Sequence, residues 1–106
     1  MEKRVVLLTD LSSYGKSSLT VMIPALEMLG VEACPVATAL LSTQSDGFLD
    51  PYRKEETDSL GEILGVWTRL GLRFSGIYTG YFSSSRQVEA LLPFLDDHSG
   101  TLLFCD

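Results

Sequence analysis

Apolar residues fall into two kinds of run along this chain. Short continuous runs, "RVVLLT" at 4–9, "VEACPVATALL" at 31–41, "RFSGIYT" at 73–79 and "TLLFC" at 101–105, are bounded by polar or turn residues and predict buried strands. Between them, apolar residues recur at helical spacing. Leu19, Met22, Ile23 and Leu26, extended by Leu29, form one stripe; Leu60, Ile63, Leu64 and Trp67 form a second; Val88, Leu91, Leu92 and Leu95 form a third. Gly30 and Gly71 stand where the first two helices should stop. Ser84 and Gln87 have the spacing of a capping box and open the third. Pro24 inside the first helix predicts a bend. Pro35 marks the second strand as an edge or bulged strand, and 42–52 reads as a loop by composition.

The predicted order is β-α-β-α-β-α-β. Continuous apolar strands alternating with one-faced helices specify an α/β fold of three layers, a mostly parallel sheet with helices on its faces. The 106 residues fit one domain, 1–106, with no linker or low-complexity segment. Hydrophobic residues make up 45% and charged residues 21%, which is the balance of a globular chain. Eight basic against fourteen acidic residues give a net charge of −6 and no basic stripe, which argues against nucleic-acid binding. No apolar run approaches membrane-spanning length, and "MEKRVVLL" enters a strand with no cleavage-site pattern; both point to no membrane partner and a cytoplasmic location.

Cys34 and Cys105 each lie in an apolar run and are expected to be reduced, buried thiols, with no spacing that suggests a metal. His98, the only histidine, sits in "DDHSG" and is expected in a solvated turn, which leaves a histidine-based triad without footing.

The chemistry-bearing segments follow strands. In open α/β sheets, ligands bind beyond the carboxyl ends of the strands. "TDLSSYGKSS", "STQSDGF" and "TGYFSSS" all fall there, and Asp106 follows the fourth strand. If they converge, Asp10 is the early charge of a polar pocket, with Ser12, Ser42, Ser45 and Tyr81 as neutral partners. Ser12, Ser13, Ser84 and Ser85 equally fit helix capping and local backbone bonding. "GKSS" resembles the end of a phosphate-binding loop, yet the first glycine of that motif would have to be residue 10, which is Asp. Lys16 is then a solvated side chain and Gly15 permits a sharp turn or close approach. Alternation sends Tyr78 into a core layer; Tyr81, past the strand end, suits stacking on a flat ring or packing at the rim.

The segments "DLSSYGKSSLTVMIPALEMLGVEACPVATALLST", "GIYTGYF" and "FCD", in that order, resemble the vitamin B6 kinases of the ribokinase-like superfamily, over what would be the N-terminal part of a member. The resemblance implies ATP-dependent phosphorylation of the hydroxymethyl group of pyridoxal, pyridoxamine or pyridoxine, with Mg2+, in a protein that commonly forms a homodimer. It places Asp10 at the pyridine ring and its substituents, Ser42, Gln44 and Ser45 in the loop over the vitamer, Tyr81 beside the ring, and Asp106 near the phosphates and metal. Gln44, Ser45 and Asp46 stand where the family commonly has His, Thr and Gly. The family's glycine-rich anion hole and catalytic aspartate, in a G-T-G-D-like motif, are not among these residues, so the general base is expected beyond residue 106. Two other readings remain: a non-catalytic B6- or nucleotide-binding fragment, and a kinase of the hydroxymethylpyrimidine type. A four-strand parallel sheet ending at "TLLFCD" would leave an apolar edge, so the chain alone is expected to be marginally stable. The segment 33–41 is where a homodimer contact is expected.

Overall fold

The computed structural model describes residues 3–15, 18–43, 50–80, 82 and 84–105. Its elements are β1 (Lys3–Tyr14), α1 (Leu19–Met28), β2 (Val31–Thr43), β3 (Arg53–Glu55), α2 (Thr57–Arg69), β4 (Gly76–Thr79), α3 (Ser85–Asp97) and β5 (Leu102–Cys105). They build one five-stranded sheet in the order β3-β2-β1-β4-β5. Every pairing is parallel except β2 with β3. The expected α/β architecture is present, with one strand more than the apolar pattern indicated. β3 escaped because "RKE" is short, charged and exposed. Backbone pairing with Ala39–Leu41, not side-chain burial, holds it.

Val6, Leu8, Val36 and Ile77 point to one face of the sheet, where they meet Leu60 and Leu64 of α2, Leu91 and Phe94 of α3, and Phe74. Each such side chain contributes roughly 1.5–3 kcal/mol by leaving water. Leu7, between Val6 and Leu8, is fully buried on the opposite face, the side of α1 and its buried Leu19. The two faces are unequal. α1 leaves Val21, Met28 and Leu29 exposed, and β5 exposes Leu102, Leu103 and Phe104. No helix among the described residues is long and apolar enough to cross a membrane.

Several expectations change at the level of single residues. The third strand begins at Gly76, not at 73, because Ser75 N turns to bond Arg4 O at 2.7 Å and Phe74 packs between Trp67 and Phe94. The buried face of α3 is Gln87, Leu91 and Phe94, one residue round from the expected stripe, so Val88 and Leu92 stay exposed. Ser84 is the N-cap residue, extended at φ −159, but its hydroxyl makes no capping bond. His98 is 5% exposed, not solvated. Its ring stacks on Phe94 at 4.2 Å, and its nitrogens face Phe94 O at 3.0 Å and Leu72 O at 3.4 Å. The aromatic pocket of Phe74 and Phe94 overrides the polar neighbours that made "DDHSG" look like a surface turn.

Pro35 lies in a strand that is internal overall, but β3 pairs only with Ala39–Leu41, so the stretch around Pro35 has one side without a strand partner among the described residues. On that side Ala33 N bonds Glu27 Oε1 at 3.0 Å. Backbone N–H groups alternate in direction, so the missing donor of Pro35 falls on the same open side. A proline and a capping carboxylate together discourage strand addition there. The bulge itself comes later, where one extra β2 residue fits between Thr9↔Ala37 and Leu11↔Leu40.

The cysteines also depart from the expected pair of buried thiols: Cys34 is half-buried and Cys105 is exposed on the outermost strand. Burial pushes the Cys34 thiol above the ordinary range, with Glu32 adding to the effect and Arg4 opposing it. A raised pKa leaves less thiolate at any given pH. A thiol reagent at neutral pH should therefore modify Cys105 at least about tenfold faster than Cys34, whose rate should climb only under alkaline conditions. Equal rates at neutral pH would contradict this packing.

Candidate functional site

Strand order reverses at β1. The chain passes from β1 through α1 to β2 on one side, and β4 and β5 lie on the other. Right-handed crossovers then put α1 and α3 on opposite faces, and the place for a ligand crevice falls beyond the carboxyl ends of β1 and β4. β4 leaves β1 after Leu8↔Thr79, whereas β2 accompanies β1 as far as Tyr14↔Thr43. The segment 10–14, expected to follow the first strand, is thus part of it. It forms one wall of the crevice as a two-stranded ribbon with β2. Gly15, at φ +93, ends the ribbon with a backbone conformation that side chains rarely allow.

Asp10 stands at the base of this wall and is 8% exposed. Its Oδ1 accepts from Ser18 Oγ at 2.7 Å and from Thr9 Oγ1 at 3.3 Å, and its Oδ2 accepts from Ser12 Oγ at 3.0 Å. Three hydroxyl donors compensate a carboxylate that burial alone would make costly. A carboxylate offers about four acceptor positions, so the hydroxyls of the described residues leave roughly one for another donor. Ser18 reaches Asp10 from a strained backbone, φ 52 and ψ −122, at the entrance of α1. The carboxylate thus fastens the start of α1 to β1 at the base of the ribbon.

The opposite wall follows β4. Gly80 N bonds Leu8 O at 2.8 Å, continuing the ladder one step past the strand. A Cβ at Gly80 would fall 2.7 Å from Thr9 Oγ1 and 3.1 Å from a Tyr78 ring carbon. Only glycine lets this wall approach β1 so closely. Tyr78 is half-buried beside Thr9 on the α1 face.

Ser12 shares the face of Asp10, as their bond requires. Ser42 lies opposite Ser13 in register and therefore on the other face of the ribbon. Ser42 Oγ accepts from Tyr52 N at 2.8 Å, and Ser42 N donates to Tyr52 O at 2.9 Å. Ser42 closes the base of the loop that carries Gln44, Ser45 and Asp46. Those three residues, with Lys16, Tyr81 and Asp106, lie outside the described residues. Asp10, Ser12 and Ser42 are thus brought to the same end of neighbouring strands, with Ser42 turned to the opposite face. Sequence reading missed Thr9, Ser18 and Gly80, whose roles come from contacts across turns. The stretch "TDLSSYGKSS" does hold Thr9 and Ser18, but no spacing rule singles them out.

Thr38 Oγ1, Thr43 Oγ1 and Ser84 Oγ are buried without a hydrogen-bond partner among the described residues. Among those residues no group of three or more His, Cys, Asp or Glu is placed to hold a metal ion. A second hollow, an open groove of about 610 Å³ between α2 and α3, is lined by Asp58, Glu62, Glu89 and Arg86 together with Thr57 and Gly61.

No family model matches the chain. A comparison with curated proteins returns no match. Solved structures do match. A protein from Bacteroides thetaiotaomicron, assigned as a phosphomethylpyrimidine kinase and crystallised with pyridoxal, is 34% identical, with a TM-score of 0.92 over 100% of this chain and 37% of its own. Pyridoxal kinase from Lactobacillus plantarum is 27% identical, with a TM-score of 0.89 over 98% of this chain and 37% of its own. Pyridoxal kinase from Leishmania donovani, in complex with ADP and pyridoxamine, is 16% identical, with a TM-score of 0.82 over 99% of this chain and 39% of its own, a likeness of fold alone. The chain thus spans well under half the length of the proteins it matches.

The Asp10 contacts and the close approach at Gly80 can each be tested by substitution. Asp10→Asn and Ser18→Ala should each destabilise the chain by about 1–3 kcal/mol and should couple by about 1 kcal/mol in a double-mutant cycle read by denaturant unfolding. Strict additivity would show that the 2.7 Å contact is not a working bond. Gly80→Ala should cost about 1–3 kcal/mol through its clash with Thr9. Gly61→Ala, in α2 with open space around the new Cβ, should instead gain about 0.5–1 kcal/mol. Equal effects of the two substitutions would contradict the close approach at Gly80.

Proposed function

We propose, since the chain belongs with the N-terminal part of the ribokinase-like superfamily among pyridoxal and phosphomethylpyrimidine kinases, that the protein carrying it phosphorylates the hydroxymethyl group of pyridoxal, pyridoxamine or pyridoxine with ATP, and that this chain supplies the vitamer-binding part. The carrying observation is the reversal of strand order, flanked by Asp10 and its hydroxyls on one side and by Gly80 on the other, in a chain 34% identical to a protein crystallised with pyridoxal.

In this reading Asp10 has, among the described residues, only neutral hydroxyls as hydrogen-bond donors and an acceptor position they do not fill. A protonated pyridine nitrogen or ring hydroxyl would satisfy it. Tyr81 would stack beside the ring, Ser12 would orient it, and Gln44 and Ser45 would cover it from the loop whose base Ser42 closes. The substrate hydroxyl then attacks the terminal phosphorus of ATP, ADP leaves, and the hydroxyl proton passes to a base. That base is assigned outside these 106 residues. Mg2+ and most of the ATP contacts are assigned to the part of the protein corresponding to the rest of its relatives, with Asp106 at the boundary. The same part would cover β5 and the outer side of α1. Homodimer contact near 33–41 would have to use side chains, because Pro35 and Glu27 discourage strand pairing there.

A second reading, phosphorylation of a pyrimidine alcohol, is favoured by the assignment of the same 34% identical relative. The test is ATP-dependent product formation by the full-length protein, with pyridoxal and a hydroxymethylpyrimidine compared, beside binding of each by this chain alone. Pyridoxal phosphate as the preferred product, with binding but no turnover by the chain, is the expected outcome. Preference for the pyrimidine would select the second reading. Binding without turnover by the full-length protein would make it a non-catalytic vitamer-binding protein.

A further inference from the structure

Gln87 occupies a core position of α3. It is fully buried, and with Leu91 and Phe94 it forms the face of the helix that meets the sheet. An apolar side chain of the same length would fill that place, and a buried amide is costly unless it is bonded. Its Nε2 donates to Thr38 O at 2.6 Å. The same oxygen accepts from Glu56 N, at the entrance to α2, at 3.0 Å. Thr38, itself fully buried, sits where β2 carries its extra residue relative to β1. A bulge disrupts the ladder locally, and a buried carbonyl there needs donors from elsewhere. Here they come from the first turn of α3 and from the amide that follows β3.

Beyond the bulge, β2 runs through Leu40 and Leu41 to Ser42, whose bonds to Tyr52 close the base of the following loop. Before Gln87, the chain leaves β4 through Gly80. One amide group therefore joins the segment leaving β4 to the segment leaving β2. We propose that Gln87 is a positioning residue, which by holding the Thr38 carbonyl sets the path of β2 past its bulge and couples the two segments that flank the crevice. The consequence for binding rests on the vitamer reading above; the structural coupling does not.

Amide hydrogen exchange of this chain and of Gln87→Met, which keeps length and volume but removes the donor, tests the coupling, with a pyridoxal titration of both. Exchange at Glu56 and at 40–43 should quicken by about tenfold or more while Val6 and Ile77 stay within about twofold, and the pyridoxal Kd should rise about tenfold. Unchanged exchange at Glu56 and at 40–43, or the same acceleration at every amide, would overturn the proposal. If Gln87→Met does not fold, exchange of the original chain in low denaturant decides. The Glu56 amide and the first turn of α3 should open as one unit, and independent opening would overturn it. The exchange readout contains no vitamer. Failure of the original chain to bind pyridoxal would therefore count against the vitamer reading, while the exchange rates alone would still decide the role of Gln87.

Discussion

A carboxylate with little access to water must be solvated by the protein, and at Asp10 that work is done by three hydroxyls drawn from both sides of a turn. Ser12 and Thr9 come from the strand that carries Asp10, and Ser18 comes from the entrance of α1. The carboxylate thereby ties the entrance of α1 to β1 just past the last pairing of β1 with β4. The close approach of Gly80 to Thr9 then sets the width of the crevice on its other side. Charge, shape and remaining hydrogen-bonding capacity at the crevice all descend from this group of contacts.

The sheet around it is lopsided. One face carries a continuous apolar core beneath α2 and α3, while among the described residues the other has only α1, with Met28 and Leu29 largely in solvent. β5 is exposed along its whole length. These surfaces match the comparison with relatives more than twice as long as this chain. The polar end of the sheet is better finished: the strand-order reversal, the bulge in β2 and the tie between Gln87 and Thr38 all lie near it.

Much of the architecture could be read from the order of apolar runs, because each long element buries one face and advertises its period. Leu60, Ile63, Leu64 and Trp67 form the contact stripe their spacing indicates, with Leu60 and Leu64 fully in the core. The misses share a cause. β3 is held by backbone bonds, so its side chains carry no sign of it. Gln87 and His98 are polar by type but buried by their partners, Thr38 O for one and Phe94 for the other. Asp10 and Ser12 could be named from their place after a strand. The bond from Ser18 could not, because it depends on how a turn folds back across eight residues.

The central claim is that a small heteroaromatic alcohol binds at the crevice between β1 and β4. The most direct test is an amide chemical-shift titration of the isotopically labelled chain with pyridoxal. Saturable shifts centred on Thr9, Asp10, Ser12 and Gly80, with the groove between α2 and α3 unmoved, are the expected result. Shifts centred instead on Asp58, Glu62 and Arg86 in that groove would contradict the account.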